Sequence, residues 1–129
     1  MEPTKKIVQT LKKPVTDSFS LAEKYYDIIS SVNGLGLTDR EIQLVAFASI
    51  RGNISYANIR EEFCKKYNTT NQTINNIISK LKKVGVMVKD GSKVKVNPII
   101  VLDFNKDVTL EIKLIHGKAS EPVGEGVDN

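Results

Sequence analysis

The segment Asn71–Pro98, NQTINNIISKLKKVGVMVKDGSKVKVNP, constrains this chain more than any other stretch. Ile74, Ile77, Ile78, Leu81 and Val84 recur at helical spacing, so one face of a helix is apolar. The opposite face reads Asn71, Gln72, Thr73, Asn75, Asn76, Ser79, Lys80, Lys82 and Lys83, rich in hydrogen-bonding groups and lysine and free of acid. Gly85 stands where the residue after a helix needs positive φ. Val86-Met87-Val88 and Val94-Lys95-Val96 then flank Lys89-Asp90-Gly91-Ser92-Lys93, a hairpin signal with Asp-Gly at its tip. Pro98 closes the second strand. The rest of the chain reads as what holds this helix and hairpin in place.

A chain of 129 residues suits one domain with short extensions and one real core. No apolar run approaches membrane-span length, and no leader-like apolar stretch precedes a cleavage site. No membrane partner is expected, and the cytoplasm of a cell, or a particle made there, is the expected location. The lone Cys64 forms no intrachain disulfide. Beside Phe63 in a predicted helix, it reads as a small half-buried residue rather than a reactive thiol. The formal net charge of +4 is modest, but its placement is not uniform. Asn71–Val96 carries six lysines against one acid, a surplus larger than that of the whole chain. Lys5, Lys6, Lys12 and Lys13 add to it at the N-terminus, while Ser120–Asn129 carries Glu121, Glu125 and Asp128 without a base. Such clustering is the footprint of a polyanion binder. The bland alternative is a solvated lysine face.

In chain order, residues 1–16 form a basic arm or short strand, with Ile7 and Leu11 on one side and Pro14 at its end. Residues 17–36 hold an amphipathic helix over Phe19–Val32, capped by Asp17 or Ser18 and stopped by Asn33-Gly34. Its Tyr25-Tyr26 pair reads as core plus rim. Thr38 and Glu41 make a capping box, with Leu37 placed to staple against Ile42. The helix that follows is apolar around most of its circumference and should be the most buried. A shorter helix spans about Ser55–Lys66 with Ser55 as N-cap, and Ile54 is available to join the hairpin's sheet. Thr70 or Asn71 caps the helix after the Asn68-Thr69-Thr70 turn. In residues 99–115, Ile99-Ile100-Val101-Leu102 reads as a doubly buried strand or a segment packed under the hairpin. Val108–Leu114 alternates with period two, as a half-buried strand does. Residues 116–129 have the composition of a flexible tail.

Leu37–Pro98 resembles the winged helix-turn-helix superfamily over about half the chain. LTDREIQLVAF is similar to the opening helix of many such regulators. ISYANIREEFCKKYNTTNQTINNIISKLKKVGVMVKD resembles their partner helix, turn and reading helix, the last ending in K-L-x-x-x-G. Lys95-Val96-Asn97-Pro98 looks like the plasmid replication-initiator branch, and MarR-like regulators are the other near relative. The resemblance implies an α+β fold. Residues 37–98 would supply a three-helix core and a hairpin wing, with an extra N-terminal helix and flanking β-strands.

On this reading the chain binds double-stranded DNA, as a transcriptional regulator or a replication-initiation factor. The Thr70–Gly85 helix lies in the major groove. Asn71, Gln72, Thr73, Asn75 and Asn76 are the base-contact candidates, because Asn and Gln amides pair with adenine N6 and N7. No arginine occupies this face, so A·T-rich sites are expected. Ser79, Lys80 and Lys83, with Lys89, Ser92, Lys93 and Lys95 of the hairpin, are candidates for the DNA backbone and groove edge. An enzyme is not expected: His116 is the only histidine, and no glycine-rich phosphate loop occurs. Asp103 and Asp107 read as turn formers rather than metal ligands, so neither cofactor nor metal is expected.

The alternative is a structural or adaptor protein. The Lys5–Leu11 arm and the Val108–Leu114 strand could add to a neighbour's sheet edge and build a dimer or a ring. Abundant Ile, Lys and Asn point to an A+T-rich genome, such as that of a bacteriophage, plasmid or low-GC bacterium. A phage-encoded regulator or virion component fits that composition.

Overall fold

The computed structural model describes residues 5–10 and 15–117. Helices α1 (Ser18–Val32), α2 (Asp39–Arg51), α3 (Ala57–Tyr67) and α4 (Asn71–Lys83) precede one antiparallel hairpin, β1 (Met87–Asp90) and β2 (Lys93–Val96). The class is α+β, as expected.

Each helix starts where a side chain can take up its first free amides. Asp17 Oδ1 accepts from the Ser20 amide at 2.9 Å and caps α1. Thr38 and Glu41 form the expected capping box on α2. Thr70 Oγ1 accepts from the Thr73 amide and caps α4. The α3 start differs from expectation. Tyr56, not Ser55, holds the N-cap position, without a side-chain cap of its own. The buried Asn53 takes the capping role, its Oδ1 accepting from the amides of Ser55 and Tyr56. Ser55 is thereby free to turn to the hairpin: its hydroxyl accepts from the Val94 amide at 2.6 Å, and Ile54 N donates to the Val94 carbonyl at 2.9 Å. Ile54 thus joins the sheet edge by one backbone bond, without becoming a strand.

Helix α2 sits at the centre, with α1, α3 and β2 packed against it. Leu44 through Ala48 are fully buried. The Phe47 ring stacks on Phe19 of α1 at 5.6 Å and meets Phe63 of α3 edge-on at 5.3 Å. Ile74, Ile77, Ile78 and Leu81 bury the inner stripe of α4, whereas Val84, at its C-terminal cap, is 46% exposed. Gly85 takes φ 80°, and the Val86 amide reaches back to the Leu81 carbonyl, so the chain turns directly into β1. Asp90 pairs with Lys93, leaving Gly91-Ser92 as a two-residue loop with Gly91 at φ 64°.

The C-terminal expectations need correction. Ile99–Leu102 is no strand, and of its four residues only Ile100 packs, half-buried, on the core. Pro98–Ile100 is a 3-10 turn, and Ile99 is 86% exposed. Asn97 causes this by accepting from the Ile99 amide, while Pro98 cannot donate to a sheet. The chain then crosses back to α1, where Phe104 is buried against Tyr25 and Tyr26 at 5.5 and 5.8 Å. Both tyrosines are core residues. Tyr26 donates to the Ile100 carbonyl at 2.7 Å, and burial raises its phenol pKa. Val108–Leu114 forms no strand. Val108 and Leu110 rest on the core, but Ile112 and Leu114 are 55% and 96% exposed. Alternation reports which side faces apolar surface; it does not supply the neighbouring strand that a ladder needs. Residues 5–10 are exposed and form no element. The arm positions 1–4 and 11–14, and the tail from 118 on, lie outside the described residues.

Glu41 gives the fold a pH signature. Burial raises its pKa, but the Thr38 amide and the Lys80 ammonium, 2.9 Å away, outweigh burial and hold it below its ordinary 4.5. A carboxyl with a depressed folded pKa stabilises the fold above its ordinary value and loses that contribution as pH falls through the folded pKa. Urea unfolding between pH 7 and 3 is expected to show falling stability below pH 4.5, and Glu41→Gln to flatten that decline.

Candidate nucleic-acid interface

The outer surface of α4 divides into three rows, set by the helical repeat. Gln72, Asn76, Ser79 and Lys83, spaced i, i+4, i+7 and i+11, form the row farthest from the core, and all four are exposed. Asn71, Asn75 and Lys82 lie on the flank toward α3, where Arg60 Nη1 donates to Asn75 Oδ1 at 2.8 Å. Thr73, Lys80 and Val84 lie on the opposite flank, where Lys80 meets Glu41 of α2. The apolar stripe therefore orients the helix, and two polar contacts fix its rotation.

Not every predicted site residue is free to meet a ligand. Thr73 is half-buried in the α4 cap, its hydroxyl 3.2 Å from that of Thr70. Lys80 is bound to the buried Glu41 carboxylate and ties α4 to the start of α2. Lys95 is held by Asp90 at 2.8 Å across the hairpin, and this lysine holds the Asp90 pKa down. Lys83, Lys89 and Lys93 form no ion pair among the described residues, and Ser79 and Ser92 are exposed. The Lys93 ammonium sits 5.6 Å from the centre of the exposed Tyr56 ring.

Sequence reasoning put Lys82 on the polar face of α4 without counting it among the contact candidates, and it missed Arg60. Lys82 was legible from the helical repeat. Arg60 was not, because it belongs to α3 and reaches α4 only through packing. Its Nε also donates to the Ile54 carbonyl at 2.9 Å, and Ile54 N donates to Val94 of β2. One path of hydrogen bonds thus runs from Asn75 through Arg60 and Ile54 to the hairpin. Beside it, Ser55, Ala57, Arg60, Glu61, Cys64 and Asn71 line a shallow open groove.

Among the described residues no group of three or more His, Cys, Asp or Glu is placed to hold a metal ion. Nor is any helix of the described residues long and apolar enough to cross a membrane. Compared with protein-family models, curated proteins and solved structures, the chain finds no match.

Replacing Ser55 by Ala should loosen the hairpin from the helices. The expected result is a stability loss of roughly 1 kcal/mol in urea unfolding, with faster hydrogen exchange at the Val94 amide.

Proposed function

We propose that the chain is a double-stranded DNA-binding protein of winged helix-turn-helix architecture. In this reading α3 and α4 form the helix-turn-helix, α4 enters the major groove, and the β1–β2 hairpin is the wing. The observation that carries it is the acid-free outer row of α4, in which Lys83, with Lys82 beside it and Lys89 and Lys93 on the hairpin, forms no ion pair among the described residues. Gln72 and Asn76 offer both a donor and an acceptor, the pattern that matches adenine N6 and N7. Asn71 lies beside them at the exposed start of the helix. Lys82, Lys83, Lys89 and Lys93 supply the phosphate contacts, which set affinity and register. The role we propose for it is that of a transcriptional regulator or a replication-initiation factor, encoded by a phage or its bacterial host.

A second reading is favoured by a separate observation. Leu114 and Ile115 are 96% and 86% exposed, and Ile7 and Val8 of the arm are also exposed. A second copy of the chain that paired with these segments would cover them and build the dimer or ring of a structural assembly, such as a virion component. Sedimentation of the full chain and of a chain ending at Asp107 tests this. A concentration-dependent oligomer lost on truncation supports it, and a monomer in both cases removes it.

For the DNA reading, titration against A+T-rich and G+C-rich duplexes over a salt series is expected to give tighter binding to the A+T-rich set. Log affinity should fall steeply with log salt. Lys83→Ala should reduce the steepness by about one unit, as loss of one phosphate contact does. Lys80→Ala should lower stability and leave the steepness unchanged. Absence of binding at low salt would sink the reading.

A further inference from the structure

Folding brings an arginine to the α4 surface that the sequence of α4 does not contain. Arg60 is fixed at two points, through Nε to the Ile54 carbonyl at 2.9 Å and through Nη1 to Asn75 Oδ1 at 2.8 Å. Arginine has no acceptor, so the Asn75 atom that faces it is the amide oxygen on chemical grounds alone. The Asn75 amino group is then the end turned away from Arg60, and it has no protein partner among the described residues. A guanidinium carries five N–H groups. Two are engaged here, which leaves Nη2 and one Nη1 hydrogen to act beside the Asn75 amino group.

This arrangement changes what Asn75 can recognise. Pairing with adenine uses both ends of an amide, the oxygen toward N6 and the amino group toward N7. With its oxygen turned to Arg60, Asn75 has one lone pair of that oxygen engaged, while its amino group is wholly free among the described residues. The combined edge of Arg60 and Asn75 is therefore rich in free donors, and its one acceptor is already shared with a cation. In the major groove the edge with two adjacent acceptors and no donor is that of guanine, N7 and O6. We propose that Arg60 and Asn75 act as one unit that reads a guanine. The bound site is then a run of A·T pairs read by Gln72 and Asn76, with an obligatory G·C pair beside it. This inference rests on the duplex-binding reading above. It sharpens that reading, because the residue offered as an adenine contact becomes part of a guanine contact.

The arrangement is also pre-organised. Both tethers of Arg60 are present without any ligand, so little side-chain freedom is left to lose on binding. A purely structural clamp would have the same two hydrogen bonds, so the test needs a readout that stability does not move. Sites are first selected from a randomised duplex pool with the full chain. Affinity is then measured for the selected duplex and for a copy in which the fixed guanine is replaced by 7-deazaguanine, which lacks the N7 acceptor. Wild type is expected to select a fixed guanine and to bind the 7-deaza duplex about tenfold more weakly. Arg60→Ala should bind the two duplexes alike. Because Arg60→Ala also frees the Ile54 carbonyl, Arg60→Gln serves as the second variant. Its amide can still donate to Ile54, and it too should bind both duplexes alike while melting near wild type. Selected sites without a fixed guanine, or an undiminished 7-deaza response in both variants, would overturn the inference and leave the duplex-binding reading standing. Failure of the wild type to retain any duplex would overturn both.

Discussion

The burial of α2 on nearly every side is the constraint on which the rest of the structure depends. A helix with Leu44 through Ala48 fully buried cannot exist at a surface, so other elements must cover it. Three do: α1 and α3 share the Phe47 ring, and β2 closes a third side. The hairpin is thereby part of the core. Two short strands alone in water are marginal. Here Met87 and Val96, paired directly across the sheet, are buried with the helices.

Polar groups at the edges of that core do more than satisfy themselves. Glu41 closes the capping box of α2 and anchors Lys80 of α4. Asn53 caps the approach to α3 and releases Ser55 to hold Val94. Arg60 joins Ile54 to Asn75. Each is a hydrogen-bonded link between two elements that apolar packing alone would leave free to slide or rotate. Their joint effect is to fix the rotation of α4 and the angle of the hairpin. Those two quantities decide which side chains the proposed interface offers.

The same links sort the lysines. Six lie between Asn71 and Val96, but Lys80 and Lys95 are neutralised by Glu41 and Asp90. A charge count over the segment therefore overstates the field that a polyanion meets. Lys82, Lys83, Lys89 and Lys93 are the ones left to act at a distance, and long-range attraction by such exposed charges is strongly screened by salt.

Local chemistry was legible in the linear chain. The apolar stripe of α4, the Thr38–Glu41 capping box, the Asp17 cap, Gly85 at positive φ and a hairpin turning at Gly91 each need only residues a few positions apart. Residues far apart were not legible in the same way. The alternation of Val108–Leu114 reported a sided segment, but a strand also needs a partner edge, and sequence pattern carries no information about that. Ile99–Leu102 read as buried because it is apolar, yet Asn97 and Pro98 turned Ile99 outward and left only Ile100 half-buried on the core. The proposed interface follows the same division. The sequence by itself determined which residues share the outer face of α4, because helical repeat is a local property. Only the tertiary structure decided that Lys80 is tied to Glu41 and that Arg60 stands beside Asn75. Those pairings arise when separate elements pack on a common core, and a one-dimensional pattern cannot encode the distance between them.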